Sequence, residues 1–215
     1  MTEAKIVKVK RGKLAEAAEL AAEIIRKGGI VAYPTDTLYG LGVNPFSQKA
    51  VRKLLKAKRR PIKKGIPILV CSLNAAEKIA YFTPEALTLA EKFWPGPLTI
   101  ILEQRTPIPR EVSGGKENIG LRVPNHPVPK LIAEKVGGAI TGTSANISGA
   151  PPAADANQVA AQLGSSLDLI LDGGRTKGVA STVVDLTKKL PLIVREGAIS
   201  LEALEKVLGK PLKRG

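Results

Sequence analysis

A chain of 215 residues is long enough to bury a sizeable core, and with 44% hydrophobic but only 3% aromatic residues that core must be aliphatic. One Cys and one His exclude an internal disulfide and a Cys/His metal cluster. The net charge of +14 favours an acidic partner without distinguishing nucleotide, RNA or phospholipid.

Residues 6–9 read as a short strand. Residues 13–27 read as a helix with Leu14, Ala18, Ala21, Ala22 and Ile25 on one face, stopped by Gly28-Gly29. Residues 29–33 are apolar without alternation, the pattern of a strand covered on both faces, and Pro34 ends it for want of an amide hydrogen. A loop over residues 35–45 follows. Ser47 caps a helix through Lys58, with Val51, Leu54 and Leu55 inward and Lys49, Arg52, Lys53 and Lys56 toward water. Pro61 and Gly65 break the chain before a strand at 66–70, so Lys58, Arg59 and Arg60 fall on the connection.

Thr83-Pro84 opens a helix, and Trp94-Pro95-Gly96-Pro97 ends it before a strand at 98–103. Strands at 119–123 and 139–141 flank a helix near 128–136. Asp155 caps a helix to Leu163; strands at 167–171, 182–186 and 192–195 follow, and Ser200 caps a closing helix to Leu208. Helices and strands mix throughout with no repeat or linker, which predicts one α/β domain over residues 1–215, a twisted mixed sheet with flanking helices. No apolar run approaches the roughly 18 residues that span a bilayer, and residues 1–5 lack the apolar core of a secretion signal. The expected setting is cytoplasmic, with no membrane partner.

Between Asp36 and Glu77 the chain has no carboxylate, yet it holds Lys49, Arg52, Lys53, Lys56, Lys58, Arg59, Arg60, Lys63 and Lys64. Uncompensated like charges repel, so this segment points to a polyphosphate or nucleic acid partner. Lys58-Arg59-Arg60 offers a point charge and a planar fork suited to a triphosphate, or else a solvated helix end. The small hydroxyl and amide side chains of residues 141–149 suit either a phosphate cradle or an ordinary turn. Arg122 and Arg195, set in apolar strands, face a polar cavity or sit in structural ion pairs. His126 reads as structural, and no Ser-His-Asp or Cys-His arrangement supports covalent catalysis.

In chain order, Tyr33-Pro34-Thr35-Asp36-Thr37-Leu38-Tyr39-Gly40-Leu41-Gly42, Lys58-Arg59-Arg60-Pro61, Trp94-Pro95-Gly96-Pro97-Leu98-Thr99, Gly120-Leu121-Arg122-Val123-Pro124, Ser144-Ala145-Asn146-Ile147-Ser148-Gly149 and Ser181-Thr182-Val183-Val184-Asp185 resemble the YrdC-like threonylcarbamoyl-AMP synthase family. The match spans nearly the whole chain and looks like the short, single-domain form. The resemblance implies a concave basic cavity in which L-threonine, bicarbonate or carbon dioxide and ATP, carried with Mg²⁺, give threonylcarbamoyl-AMP and pyrophosphate. A separate transferase would then use the product to form N6-threonylcarbamoyladenosine on tRNA.

Carried over motif by motif, Thr35, Arg122, Ser181 and Asn146 look like threonine contacts, and Lys58, Asn118, Ser144 and Arg195 like ATP contacts. Lys58 and Arg60 are the implied catalytic cations, and no metal ligands are implied. Two positions depart from the family pattern. Cys71 replaces a common histidine, removing an ionisable donor expected near the amino-acid pocket, and Pro152 replaces a serine, removing one phosphate contact. Two competing readings stand beside the synthase: a module binding tRNA or double-stranded RNA without chemistry, and a paralogue acting on another carbamoyl or acyl substrate.

Overall fold

The computed structural model describes residues 3–215. The chain opens with β1 (Lys5–Lys8), α1 (Leu14–Arg26), β2 (Val31–Tyr33), β3 (Gly40–Gly42), α2 (Gln48–Lys58), β4 (Ile68–Val70) and α3 (Leu73–Glu77). Next come α4 (Pro84–Phe93), β5 (Leu98–Glu103), α5 (Arg110–Ser113), β6 (Asn118–Arg122), α6 (Pro127–Lys135), β7 (Ala139–Thr141) and β8 (Thr143–Ser144). The last part holds α7 (Ala156–Leu163), β9 (Leu169–Asp172), β10 (Thr182–Asp185), β11 (Leu192–Arg195), α8 (Leu201–Leu208) and β12 (Lys213–Arg214). The helix starts follow simple capping chemistry: Ser47, Ser72, Thr83, Asp155 and Ser200 each accept a hydrogen bond from an amide in the first turn.

The architecture is mixed α/β, as expected, but the strands divide between two sheets, ordered β1-β9-β2-β3-β8 and β12-β11-β10-β5-β6-β4-β7. Each combines parallel and antiparallel pairs: β2 runs parallel to β9 and antiparallel to β3, and β5 runs parallel to β10 and antiparallel to β6. Gly142 is where the chain passes from one sheet to the other. Thr141 pairs with Ile68 of β4, whereas Thr143 pairs with Leu41 of β3. A Cβ on Gly142 would lie 2.6 Å from Leu69 Cγ, so only glycine lets the chain cross there. Both sheets also share a core: Ala18, Ala21 and Ile25 of α1 and Ile132 and Ala133 of α6 pack with Val31 and Tyr33 of β2 and with Leu69 and Ile140 of the second sheet. Each fully buried aliphatic side chain contributes roughly 1.5–3 kcal/mol to folding.

Part of the expected 35–45 loop is strand β3. The cause is Tyr33, fully buried and opposite Gly40 in the ladder. Its ring covers both glycines: a Cβ would lie 2.8 Å from it at Gly40 and 2.7 Å at Gly42. The aromatic ring thus supplies the packing that a Gly-Leu-Gly strand lacks by itself. The short elements α3, α5, β8 and β12 are further findings beyond the sequence reading. Finally, two of the cations of α2 that look uncompensated in the sequence have carboxylate partners. Arg52 reaches Glu111 at 2.7 Å and Lys53 reaches Asp168 at 2.8 Å, carboxylates from distant parts of the chain.

Candidate active site

The turn after β2 is built by Thr35. Its Oγ1 accepts hydrogen bonds from the amides of Thr37 (3.0 Å) and Leu38 (3.2 Å) and donates to Leu38 O (2.7 Å). A threonine bonded in this way to its own turn fixes the loop. Thr37 Oγ1, 2.9 Å from Thr35 Oγ1, accepts from Arg122 Nη1 at 3.0 Å. Arg122 closes β6 with its side chain only 6% exposed, donating also to Gly96 O (2.9 Å) and to the Asp36 carboxylate, itself 11% exposed. Burial lowers the Arg122 pKa and the charge of Asp36 opposes that fall. Three of five guanidinium N–H groups are spent in this way, and two remain for a ligand.

On the neighbouring side, Arg195 at the end of β11 donates from Nε (3.0 Å) and Nη2 (2.8 Å) to Ser181 O, and from Nη2 to Ser181 Oγ (3.1 Å). Burial lowers its pKa, and the charge of Arg122 adds to the effect, so the two guanidinium groups feel each other. Arg60 is anchored through Nε to Lys64 O (3.1 Å) and through Nη2 to Gly65 O (2.8 Å).

A cavity of about 760 Å³ gathers these groups. Of the residues singled out from sequence, Thr35, Arg60, Asn118, Arg122, Ser144, Ser181 and Arg195 line it. Its charged lining consists of Arg60, Lys64, Lys116, Arg122 and Arg195, without a carboxylate among the described residues. Lys58 and Asn146 are not among the lining residues; they stand behind it. Lys58 is 1% exposed, and its ammonium donates to the carbonyl oxygens of Ser144 and, at 2.6 Å, of Asn146. Burial, with the charge of Arg60 adding, lowers its pKa from 10.5 to about 7. Asn146 accepts from Ser144 Oγ and donates to Ile147 O (3.0 Å) and Ala150 O (2.7 Å). These two residues hold the β8 loop in place and present Ser144 to the cavity.

Lys58 ends α2 and does not sit on the connection, and that position was readable. Val51, Leu54, Leu55 and Lys58 fall at helical spacing on one face, so residue 58 shares the buried stripe. Thr37 and Thr99 line the cavity without having been singled out as site residues. Thr99 had a signal, a lone hydroxyl inside an otherwise apolar strand. Pro152 borders the cavity, whereas Cys71 is not among the lining residues. Just beyond β4, the Cys71 amide donates to Gly138 O (3.1 Å) and its side chain packs on the α1–α6 core. His126 caps α6, its Nδ1 accepting from the Val128 amide at 3.3 Å. Among the described residues, no group of three or more His, Cys, Asp or Glu side chains is placed to hold a metal ion.

The family model for Sua5, YciO and YrdC proteins, described as telomere recombination, matches residues 23–197. The threonylcarbamoyl-AMP synthase of Pyrococcus abyssi is 41% identical over 193 residues, 89% of this chain and 57% of that protein. Its counterpart from Bacillus subtilis is 37% identical over 192 residues, 88% of this chain and 56% of that protein. The chain therefore spans a little over half the length of these curated relatives. The structure of P. abyssi Sua5 complexed with L-threonine superposes with a TM-score of 0.92 at 38% identity, covering 100% of this chain and 63% of that one. Matched by one family model over most of its length, the chain belongs to the Sua5/YciO/YrdC family.

Proposed function

We propose that this protein is a threonylcarbamoyl-AMP synthase, using L-threonine, bicarbonate or carbon dioxide and Mg²⁺-ATP. The observation that carries the reading is convergence: Arg60, Arg122 and Arg195, from three distant stretches, line one cavity together with the neutral polar residues Asn118, Ser144 and Ser181. The fold shared with P. abyssi Sua5, whose structure holds L-threonine, adds support.

The chemistry fits these groups. Threonine carbamate is an anion that must approach the α-phosphorus of ATP, another anion. One carbamate oxygen forms the new bond to phosphorus while the bond from phosphorus to the oxygen bridging the α- and β-phosphates breaks, and pyrophosphate leaves with that electron pair. Fixed guanidinium groups reduce the repulsion and stabilise the leaving charge, and holding both substrates in one cavity supplies the orientation. Arg122, Ser181 and the turn held by Thr35 receive the amino acid, with Asn146 supporting that side. Asn118, Ser144 and Arg195 receive the nucleotide, and Arg60 meets the phosphates. Lys58 serves the phosphates through the Ser144–Asn146 backbone that it organises. Mg²⁺ enters with ATP as part of the substrate. The product would pass to a tRNA-modifying transferase in the cytoplasm.

The test is pyrophosphate release from Mg²⁺-ATP with bicarbonate. The reading expects release only when L-threonine is present; release indifferent to threonine, or none at all, rejects it. The charge of +14 favours RNA binding as a second reading. That activity would weaken steeply with salt and survive Ser144→Ala, whereas synthase turnover would be lost on the same change.

A further inference from the structure

We propose that Thr99 is a positioning residue for the amino-acid end of the cavity, a role that rests on the synthase reading above. Thr99 lies in β5, 2% exposed, with Oγ1 3.0 Å from Ser181 Oγ. Ser181 Oγ already accepts a hydrogen bond from Arg195 Nη2 at 3.1 Å. A hydroxyl oxygen has two lone pairs and one proton. When Thr99 donates to Ser181, both lone pairs of Ser181 are filled, and its own proton is left without an acceptor in the protein. Ser181 lines the cavity, so that proton is free to meet an anionic oxygen there. The adjacent Arg195 charge favours this arrangement, because it draws the Ser181 oxygen into an acceptor role and strengthens its O–H as a donor.

The backbone fixes Thr99 in the pose that this requires. A Cβ on Gly120, in the adjacent strand β6, would lie 3.2 Å from Thr99 Cγ2. The threonine methyl therefore occupies the space that glycine leaves open, and the stiff χ1 of a β-branched side chain directs the hydroxyl to Ser181. Thr99 thus acts through Ser181, as a neutral residue that converts an ambivalent hydroxyl into an obligate donor. The ligand chemistry recognised is an acceptor-only oxygen, that of the amino-acid carboxylate.

Steady-state pyrophosphate release by the full chain tests this. Thr99→Val, nearly isosteric, is expected to raise the KM for L-threonine about fivefold, the worth of one neutral hydrogen bond, with the KM for Mg²⁺-ATP within twofold of wild type. Thr99→Ser keeps the hydroxyl while freeing χ1, and is expected to recover most of the threonine KM. An unchanged threonine KM in Thr99→Val, equal rises in both KM values, or a defect that Thr99→Ser leaves in place would each overturn the proposal, the last two by assigning Thr99 a merely structural part. Absence of threonine-dependent release in the wild-type protein would instead overturn the synthase reading, and this proposal with it.

Discussion

The outer face of α2 and the two cations buried at and behind the cavity, Arg122 and Lys58, use the same kinds of side chain to opposite ends. On α2, Lys53 is 48% exposed and meets Asp168, 42% exposed, in an ion pair that water and salt screen. Around the cavity, Arg122 and Lys58 are almost wholly buried, and each spends its donors on named partners: Asp36, Thr37 and Gly96 for the first, two backbone carbonyls for the second. The lesson is that the number of cations in a segment says little about where a site is. What matters is which cations the fold removes from water, because only there does each partner become obligatory.

The largest effect expected from this contrast is that of Asp36→Ala. The substitution leaves the Arg122 guanidinium buried without its counter-charge, so urea denaturation should register a loss of about 3–5 kcal/mol. A loss below about 1 kcal/mol would place Arg122 with the solvent-screened cations of α2 and break the contrast. Next in size, Lys58→Met removes both donors to the Ser144 and Asn146 carbonyls and should destabilise by about 1–3 kcal/mol. Its signature is in the pH dependence. The folded-state pKa of about 7 lies below the ordinary 10.5, so between these values the unfolded chain binds more protons than the folded one. Stability from this group therefore rises with pH across that window. The deficit of Lys58→Met should accordingly be larger at pH 9 than at pH 7; a constant deficit would mean that burial leaves the Lys58 ammonium unperturbed. The smallest effect belongs to Lys53→Ala, expected to change stability by less than about 1 kcal/mol, and less still at high salt. A loss comparable to that of Asp36→Ala would show that exposure does not separate the two sets.

Much of the fold was legible because strands β2 and β4 lie in continuous apolar runs and most helices begin at Ser, Thr or Asp caps. Strand β3 was not, since Gly40-Leu41-Gly42 has no strand character until the Tyr33 ring covers it, and that contact depends on the ladder. The ion pairs of α2 were hidden for a similar reason: Glu111 and Asp168 are remote in sequence, and local charge counting made Arg52 and Lys53 look unpartnered. Of the site, the ordered motifs named residues that do meet at one cavity. They could not reveal that Thr35 spends its hydroxyl on its own turn, or that Lys58 and Asn146 stand behind the surface they organise. Burial of Lys58 was within reach of periodicity, whereas the meeting of Thr99 with Ser181 requires the parallel pairing of β5 with β10.

The most direct trial of the central claim, that cations converging from distant stretches of the chain gather two anionic substrates in one cavity, is a crystal structure of the protein with L-threonine and a non-hydrolysable ATP analogue bound. The account predicts both ligands in the cavity between Arg60, Arg122 and Arg195, with the threonine carboxylate at Arg122 and Ser181 and the phosphates at Arg60, Ser144 and Arg195. Either ligand seated elsewhere, or phosphates held instead by the exposed lysines of α2, would contradict it.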